Sequence, residues 1–217
     1  MINTPLSTRL WLENADLGEA CLGHPFVKGL ADGSLPAEVF ARYVAQDVFY
    51  LEAFFRAYAL AAARCEGRHD VAVIFHRLMG GVLDELEMHS GHAARLGIET
   101  GNVTPSATTA AYVDLLLNTA WHGGLGEIIA VMTPCMRSYS FLGHALAKRR
   151  SENHPYREWI DAYSSDEMDE LAAELELLLD ELAEDSPRIH QLYRRAMEHE
   201  FDFFSASFGD ATGDGGP

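Results

Sequence analysis

The chain has 217 residues, 48% of them hydrophobic, and a formal net charge of −17 at pH 7. This length allows one large domain or two small ones, with enough apolar residues for a substantial core. The charge disfavours nucleic acid and anionic membrane surfaces, which it repels, and no apolar run is long enough to span a bilayer.

A neutral or cationic small molecule meets no such opposition. Met1 to Pro5 lacks a basic region followed by an apolar stretch, so no secretory leader is expected. The cysteines, Cys21, Cys65 and Cys135, are an odd set without metal-like spacing, which fits a reducing cytoplasm.

Apolar periodicity predicts helices over 7–22, 36–66, 69–96, 106–121, 125–149, 155–183 and 187–208, with a break near Ser164–Ser165. Ser34-Leu35-Pro36 is a start signal, as are Thr104-Pro105-Ser106 and Ser186-Pro187. Gly67, Gly97 and Gly123-Gly124 separate elements. No stretch alternates with period two, so the expected fold is all-α: a single domain over 1–208 and a Gly-rich flexible tail over 209–217. The acid-rich segment from Glu167 to Glu184 reads as an amphipathic helix with Leu171, Leu175, Leu178, Leu179 and Leu182 turned inward.

Three predicted helices each carry one reactive side chain on an apolar stripe. Asp47 lies among Phe40, Tyr43, Val44, Tyr50, Leu51, Phe54 and Phe55. Cys135 lies among Ile128, Met132, Met136, Tyr139 and Leu142, and Glu200 among Ile189, Leu192, Tyr193, Met197, Phe203 and Phe204. A carboxylate on such a face is paired, protonated or functional, because burying a lone charge is costly. Asp47 can be a structural acid bonded to a Tyr or Trp, or an acceptor for a substrate amidine. Cys135 can be a small core residue or a nucleophile. Pro134 beside it removes a hydrogen bond to the Ala130 carbonyl, which should kink or loosen the helix there. Tyr112 and Tyr163 also fall on inward faces.

The ten histidines raise the question of a metal. A di-iron helical site needs Glu-x-x-His on paired helices. The one such run, Glu66-Gly67-Arg68-His69, falls in a predicted turn. Glu85 and His89 stand four apart, followed by His92, but no second cluster is evident to face them. No metal is expected. Neither a Gly-rich phosphate loop nor a Gly-x-Ser-x-Gly elbow is present.

Gln46-Asp47-x-x-Tyr50-Leu51-x-x-Phe54, Pro134-Cys135-x-x-x-Tyr139, Trp159-Ile160-x-x-Tyr163 and Glu200-x-x-Phe203-Phe204 together resemble the TenA / thiaminase II family. His24-Pro25-Phe26 followed by Gly33-x-Leu35 resembles that family's opening. The resemblance runs from about residue 7 to 208. It implies a heme-oxygenase-like helical fold without heme or other cofactor, and a homotetramer. It also implies hydrolysis of 4-amino-5-aminomethyl-2-methylpyrimidine to the hydroxymethyl pyrimidine in thiamin salvage, with thiamin cleavage as a side activity. By motif, Cys135 matches the nucleophile and Glu200 the acid/base. Asp47 matches the residue that holds the pyrimidine nitrogens, and Tyr50, Tyr112 and Tyr163 match pocket tyrosines. Tyr139, within the cysteine motif, is placed with them. Three positions depart from the pattern: Phe49 for a tyrosine, Phe204 for a tryptophan and Met168 for an aromatic, which should alter the pocket's edge. A pyrimidine-binding protein without hydrolysis and a metal-dependent oxidase on the same scaffold are the alternatives. Binding alone would not need a thiol, and an oxidase would need His/carboxylate clusters.

Overall fold

A computed structural model describes residues 4–96, 104–148 and 153–209. They form ten helices, with no strand among the described residues. In chain order these are α1 (Leu6–Glu13), α2 (Ala15–Gly23), α3 (Pro25–Asp32), α4 (Ala37–Ala62), α5 (His69–Leu96), α6 (Ala107–His122), α7 (Leu125–Ala147), α8 (Arg157–Tyr163), α9 (Asp166–Leu182) and α10 (Pro187–Gly209). The all-α expectation holds, and the boundaries of the long helices fall close to the periodic pattern. Residues 210–217 of the expected tail lie outside the described residues.

The opening differs from the expectation. The helix expected over 7–22 is two helices broken at Asn14, whose buried side-chain amide donates to the Leu10 carbonyl at 2.8 Å. That bond satisfies a carbonyl the α1 helix leaves open at its end, so the chain can turn there. The next helix, α3, was not expected. His24 caps it, with Nδ1 accepting from the Phe26 N–H at 3.1 Å, and Pro25 takes the first position. Gly33, at φ 77°, ends it in the left-handed region. Eight residues between two punctuators are too short for a clear period, yet Phe26, Val27 and Leu30 are fully buried.

Helix α7 is the central element. It packs against α6, α8, α9 and α10 and touches α4. The helix runs through Pro134 unbroken. Close approach to α8 depends on Gly143: a Cβ there would stand 2.2 Å from the Tyr163 carbonyl oxygen. In α9, Leu175, Leu178 and Leu179 are buried as expected, Leu171 and Leu182 are half-buried, and Leu177 is exposed. No described helix is long and apolar enough to cross a membrane.

Candidate active site

The inward stripes of α4, α5, α7 and α8 converge on one small chamber. Asp47, Tyr50, Leu51 and Phe54 come from α4, and Glu85 from α5. Cys135, Met136 and Tyr139 come from α7, Tyr163 from α8 and Met168 from α9. The chamber is nearly closed, with about 10 Å³ of free space. A larger groove of about 180 Å³ lies outside it, and Glu85, Met136, Tyr163 and Met168 belong to both. These four side chains therefore stand at the doorway between groove and chamber.

Five of the seven residues singled out from sequence line the chamber: Asp47, Tyr50, Cys135, Tyr139 and Tyr163. The other two, Glu200 and Tyr112, sit behind the wall and are bonded to each other. The Tyr112 hydroxyl donates to Glu200 Oε1 at 2.5 Å, and both side chains are buried. Tyr112 packs on Tyr50 with ring centroids 4.7 Å apart, and its other neighbour is the His199 ring at 5.1 Å. Tyr112 thus holds Glu200 and backs Tyr50. Glu198 and Asp202, flanking it on α10, are exposed.

Burial sets the charge states. It pushes the Cys135 thiol well above its ordinary value, Glu200 and Glu85 push it further, and the Tyr50 hydroxyl pulls it back. Cys135 at rest is a neutral thiol. Burial also raises Glu200 to about 8, against the Tyr112 hydrogen bond, with the Asp47 charge adding to the rise. A carboxyl that titrates near neutrality beside a thiol can take a proton from it and pass the proton on. The Tyr50 hydroxyl lies close to the Cys135 thiol and the Tyr112 hydroxyl on the chamber wall, where a bound ring would meet it.

Asp47 is buried and forms an ion pair with His89: Nε2 lies 2.8 Å from Oδ2. Glu85 Oε1 is 3.8 Å from the same nitrogen and accepts a short hydrogen bond from the Tyr163 hydroxyl. Burial raises the Asp47 carboxyl and His89 draws it back down. For His89 itself, burial opposes the charge, but Asp47 and Glu85 outweigh it and lift the imidazole to about 9. His89 thus stands between two carboxyl groups, Asp47 on α4 and Glu85 on its own helix.

What faces Glu85 and His89 is one carboxyl, Asp47, rather than a second cluster. Among the described residues, the donor atoms of Asp47, Glu85 and His89 come within 4.8 Å of one another, the spacing a cation would need. The geometry fits an internal ion network better, because the imidazolium already balances one carboxylate and a metal would have to displace its proton. The sequence offers Glu85 and His89 only as a metal pair, although they also continue the α5 stripe of Val71, Phe75, Leu78 and Val82 at spacings of three and four.

Of the three departures, only Met168 reaches the chamber. Phe204 is fully buried, stacked on Phe26 at 5.3 Å and Tyr43 at 6.4 Å, away from the pocket's edge. Phe49 is half-buried and does not line the chamber. Behind Tyr139 runs a second buried chain: Trp159 Nε1 donates to the Tyr43 hydroxyl at 3.4 Å, which donates to the Tyr139 hydroxyl at 3.1 Å.

Fold and site together define an all-α protein with a thiol on the wall of an enclosed, tyrosine-lined chamber, and a carboxyl beside that thiol. The chain belongs to the TENA/THI-4/PQQC family, whose profile matches residues 12–210. It is 39% identical over 171 residues to the aminopyrimidine aminohydrolase of Halalkalibacterium halodurans, covering 76% of each chain. It is 31% identical over 176 residues to the enzyme of the same name from Bacillus subtilis, covering 79% of this chain and 74% of that one. In fold it matches the TenA homologue of P. horikoshii with a TM-score of 0.88 at 24% identity, over 95% of this chain and 99% of that one. A TenA family transcription regulator from Silicibacter sp. TM1040 superposes with a TM-score of 0.86 at 27% identity, over 92% and 95%.

Proposed function

We propose that the protein is an aminopyrimidine aminohydrolase that converts 4-amino-5-aminomethyl-2-methylpyrimidine and water to the 5-hydroxymethyl pyrimidine and ammonia. One observation carries this reading: the Cys135 thiol stands on the chamber wall with Asp47 and the tyrosines, while Glu200 is fixed next to it by Tyr112. The relatives that bear this enzyme's name support it.

The chemistry follows from these positions. Tyr50, Tyr139 and Tyr163 offer flat walls for a flat ring, and Asp47 accepts from its amidine edge. Binding requires the doorway side chains Met136, Tyr163 and Met168 to move aside, because a six-membered ring exceeds the free space at rest. Glu200, as a carboxylate, takes the thiol proton while the sulfur adds to the electron-poor ring. The ring electrons then expel the amine from the exocyclic methylene, and Glu200 delivers that same proton, so that ammonia leaves. Water adds to the methylene through its oxygen and gives a proton to Glu200. The C–S bond breaks, and the proton returns to the sulfur. One group thus serves as base, acid, base and acid in turn, a role that contributes ~10²–10⁴-fold to such reactions. Thiamin cleavage follows the same route with a neutral thiazole as the leaving group; it needs no proton, so Glu200 releases the thiol proton to solvent before it takes one from water.

An ammonia-release assay with the aminomethyl pyrimidine tests this reading. Release by the purified protein, insensitive to exhaustive chelation, is the expected result. Binding without release would favour a carrier, and release that consumes dioxygen and a bound metal would favour an oxidase.

We also propose a homotetramer, on the family resemblance. Leu12, Val73, Leu83, Trp121 and Leu177 are exposed apolar side chains that subunit contacts would cover. Light scattering should give four times 24.0 kDa, and a monomer would refute this. A cytoplasmic location is supported by the free thiols Cys21, Cys65 and Cys135. Fractionation of the source cells checks it.

A further inference from the structure

Two residues of the site have no part in the chemistry above, although one lines the chamber and the other is completely buried behind it. Glu85 is on the wall; His89 is not. Between them they link opposite walls of the chamber. The Tyr163 hydroxyl from α8 donates to Glu85 Oε1, the His89 ring nitrogen lies 3.8 Å from that oxygen, and the same nitrogen lies 2.8 Å from Asp47 Oδ2 on α4. The order across the site is therefore Tyr163, Glu85, His89, Asp47, with a wall residue at each end.

A buried carboxylate needs a partner, and one left alone takes up a proton instead. Among the described residues, the cation paired with Asp47 is His89. The other titratable groups around this pair add no positive charge: Tyr43 on α4, Glu85 on α5, Cys135 and Tyr139 on α7, Tyr163 on α8 and Glu200 on α10. The ring of Tyr43 packs edge-on against the His89 ring, with centroids 6.3 Å apart, which limits rotation of the imidazole. The ion pair occupies one Asp47 oxygen, Oδ2, and Asp47 also lines the chamber.

We propose that His89 is a positioning residue for ring recognition: as an imidazolium held between Glu85 and Asp47, it keeps Asp47 ionised and fixes which of its oxygens meets the pyrimidine. This deepens the proposed function and rests on Asp47 being the ring-binding acid. The consequence lies in proton bookkeeping. An aminopyrimidine edge pairs with a carboxyl through two hydrogen bonds that share one proton between ring nitrogen and acid. If Asp47 is ionised beforehand, that proton must come from solvent when the ring binds. If His89 is absent, Asp47 already carries it.

The test is calorimetric titration of the purified protein with 4-amino-5-hydroxymethyl-2-methylpyrimidine at pH 8, in buffers of different ionisation enthalpy. The number of protons taken up per ring bound should fall by close to one from wild type to His89→Gln, and the affinity should fall as well. Unchanged uptake with unchanged affinity means that His89 only fills space, and overturns the proposal. A second measurement needs no folded variant at position 89. In wild type, the ¹⁵N signals of the buried histidine should keep imidazolium shifts up to about pH 9, and Glu85→Gln should lower that limit. Signals of a neutral ring at pH 7.5 overturn the proposal. If wild type does not bind the pyrimidine at all, the functional reading fails and the role of His89 in recognition fails with it. If wild type binds and only the proton count stays constant, the functional reading stands and the positioning role alone is lost.

Discussion

Replacing Glu200 with glutamine should stabilise the protein while it removes turnover. Burial lifts this carboxyl from its usual 4.5 to about 8. Below pH 4.5 the group is protonated whether the chain is folded or unfolded, and no penalty exists. As the pH rises, the unfolded chain releases its proton and the folded chain does not, so stability falls steadily until the folded group also ionises near pH 8. The loss is about 3 kcal/mol at pH 7 and about 5 kcal/mol above pH 8. Glutamine has nearly the same shape, keeps an oxygen for the Tyr112 hydroxyl, and carries no such penalty. For a chain of this size ~1 kcal/mol moves Tm by about 2–4 °C, so Glu200→Gln should melt about 6–12 °C higher at pH 7. The difference should vanish near pH 4.5 and level off above 8. Thermal unfolding of both proteins from pH 4.5 to 9, followed by circular dichroism, gives the curve. A difference that is constant across that range would refute the argument that burial holds Glu200 in its acid form.

The remaining predictions concern neighbouring residues. Cys135→Ser should fold and bind the pyrimidine normally but lose at least ~10³-fold in kcat, since an alcohol is a far weaker nucleophile; near-full turnover would exclude the covalent route. Asp47→Asn should weaken pyrimidine binding on the order of 10- to 100-fold, the value of a charged hydrogen bond, measured by calorimetry; unchanged Kd would make Asp47 structural. With Glu200 the base that accepts the thiol proton, kcat/KM should rise with pH to a plateau near about 8; a profile flat from pH 6 to 9 would contradict that role. Gly143→Ala places a methyl 2.2 Å from the Tyr163 carbonyl oxygen. It should cost about 1–3 kcal/mol in stability and raise KM by moving Tyr163, and an unaltered Tm and KM would show that α7 and α8 separate freely.

Much of this arrangement is visible in the sequence, because burial of a helix face is periodic. Asp47, Cys135 and Glu200 stand out as reactive groups on apolar stripes, and all three are buried within one site. The α5 stripe was equally legible: positions 71, 75, 78, 82, 85 and 89 run at alternating spacings of four and three, and end in a glutamate and a histidine. Both read from sequence as a metal pair with no second cluster to face it, whereas their partner is the single carboxylate of Asp47, which comes from α4. Contacts between helices have no signature along the chain. The bond from Tyr112 to Glu200, which places both behind the wall, depends on how α6 crosses α10. Phe204 shows the same limit: its position next to Glu200's motif suggested the pocket's edge, but one turn of helix carries it into the stack with Phe26 and Tyr43. Short elements were lost for another reason. Helix α3 has too few residues to display a period, and the break at Asn14 depends on a side-chain bond to Leu10 that interrupts the chain without a proline or glycine.

The central claim is that this chamber replaces an amine with the oxygen of water through Cys135. The most direct measurement is the mass of the pyrimidine formed when the purified protein acts on 4-amino-5-aminomethyl-2-methylpyrimidine in ¹⁸O-labelled water, with ammonia counted in parallel. The expected result is one labelled oxygen in every hydroxymethyl product, one ammonia per product, and neither from Cys135→Ser. Unlabelled product, or an unchanged yield from Cys135→Ser, would contradict it.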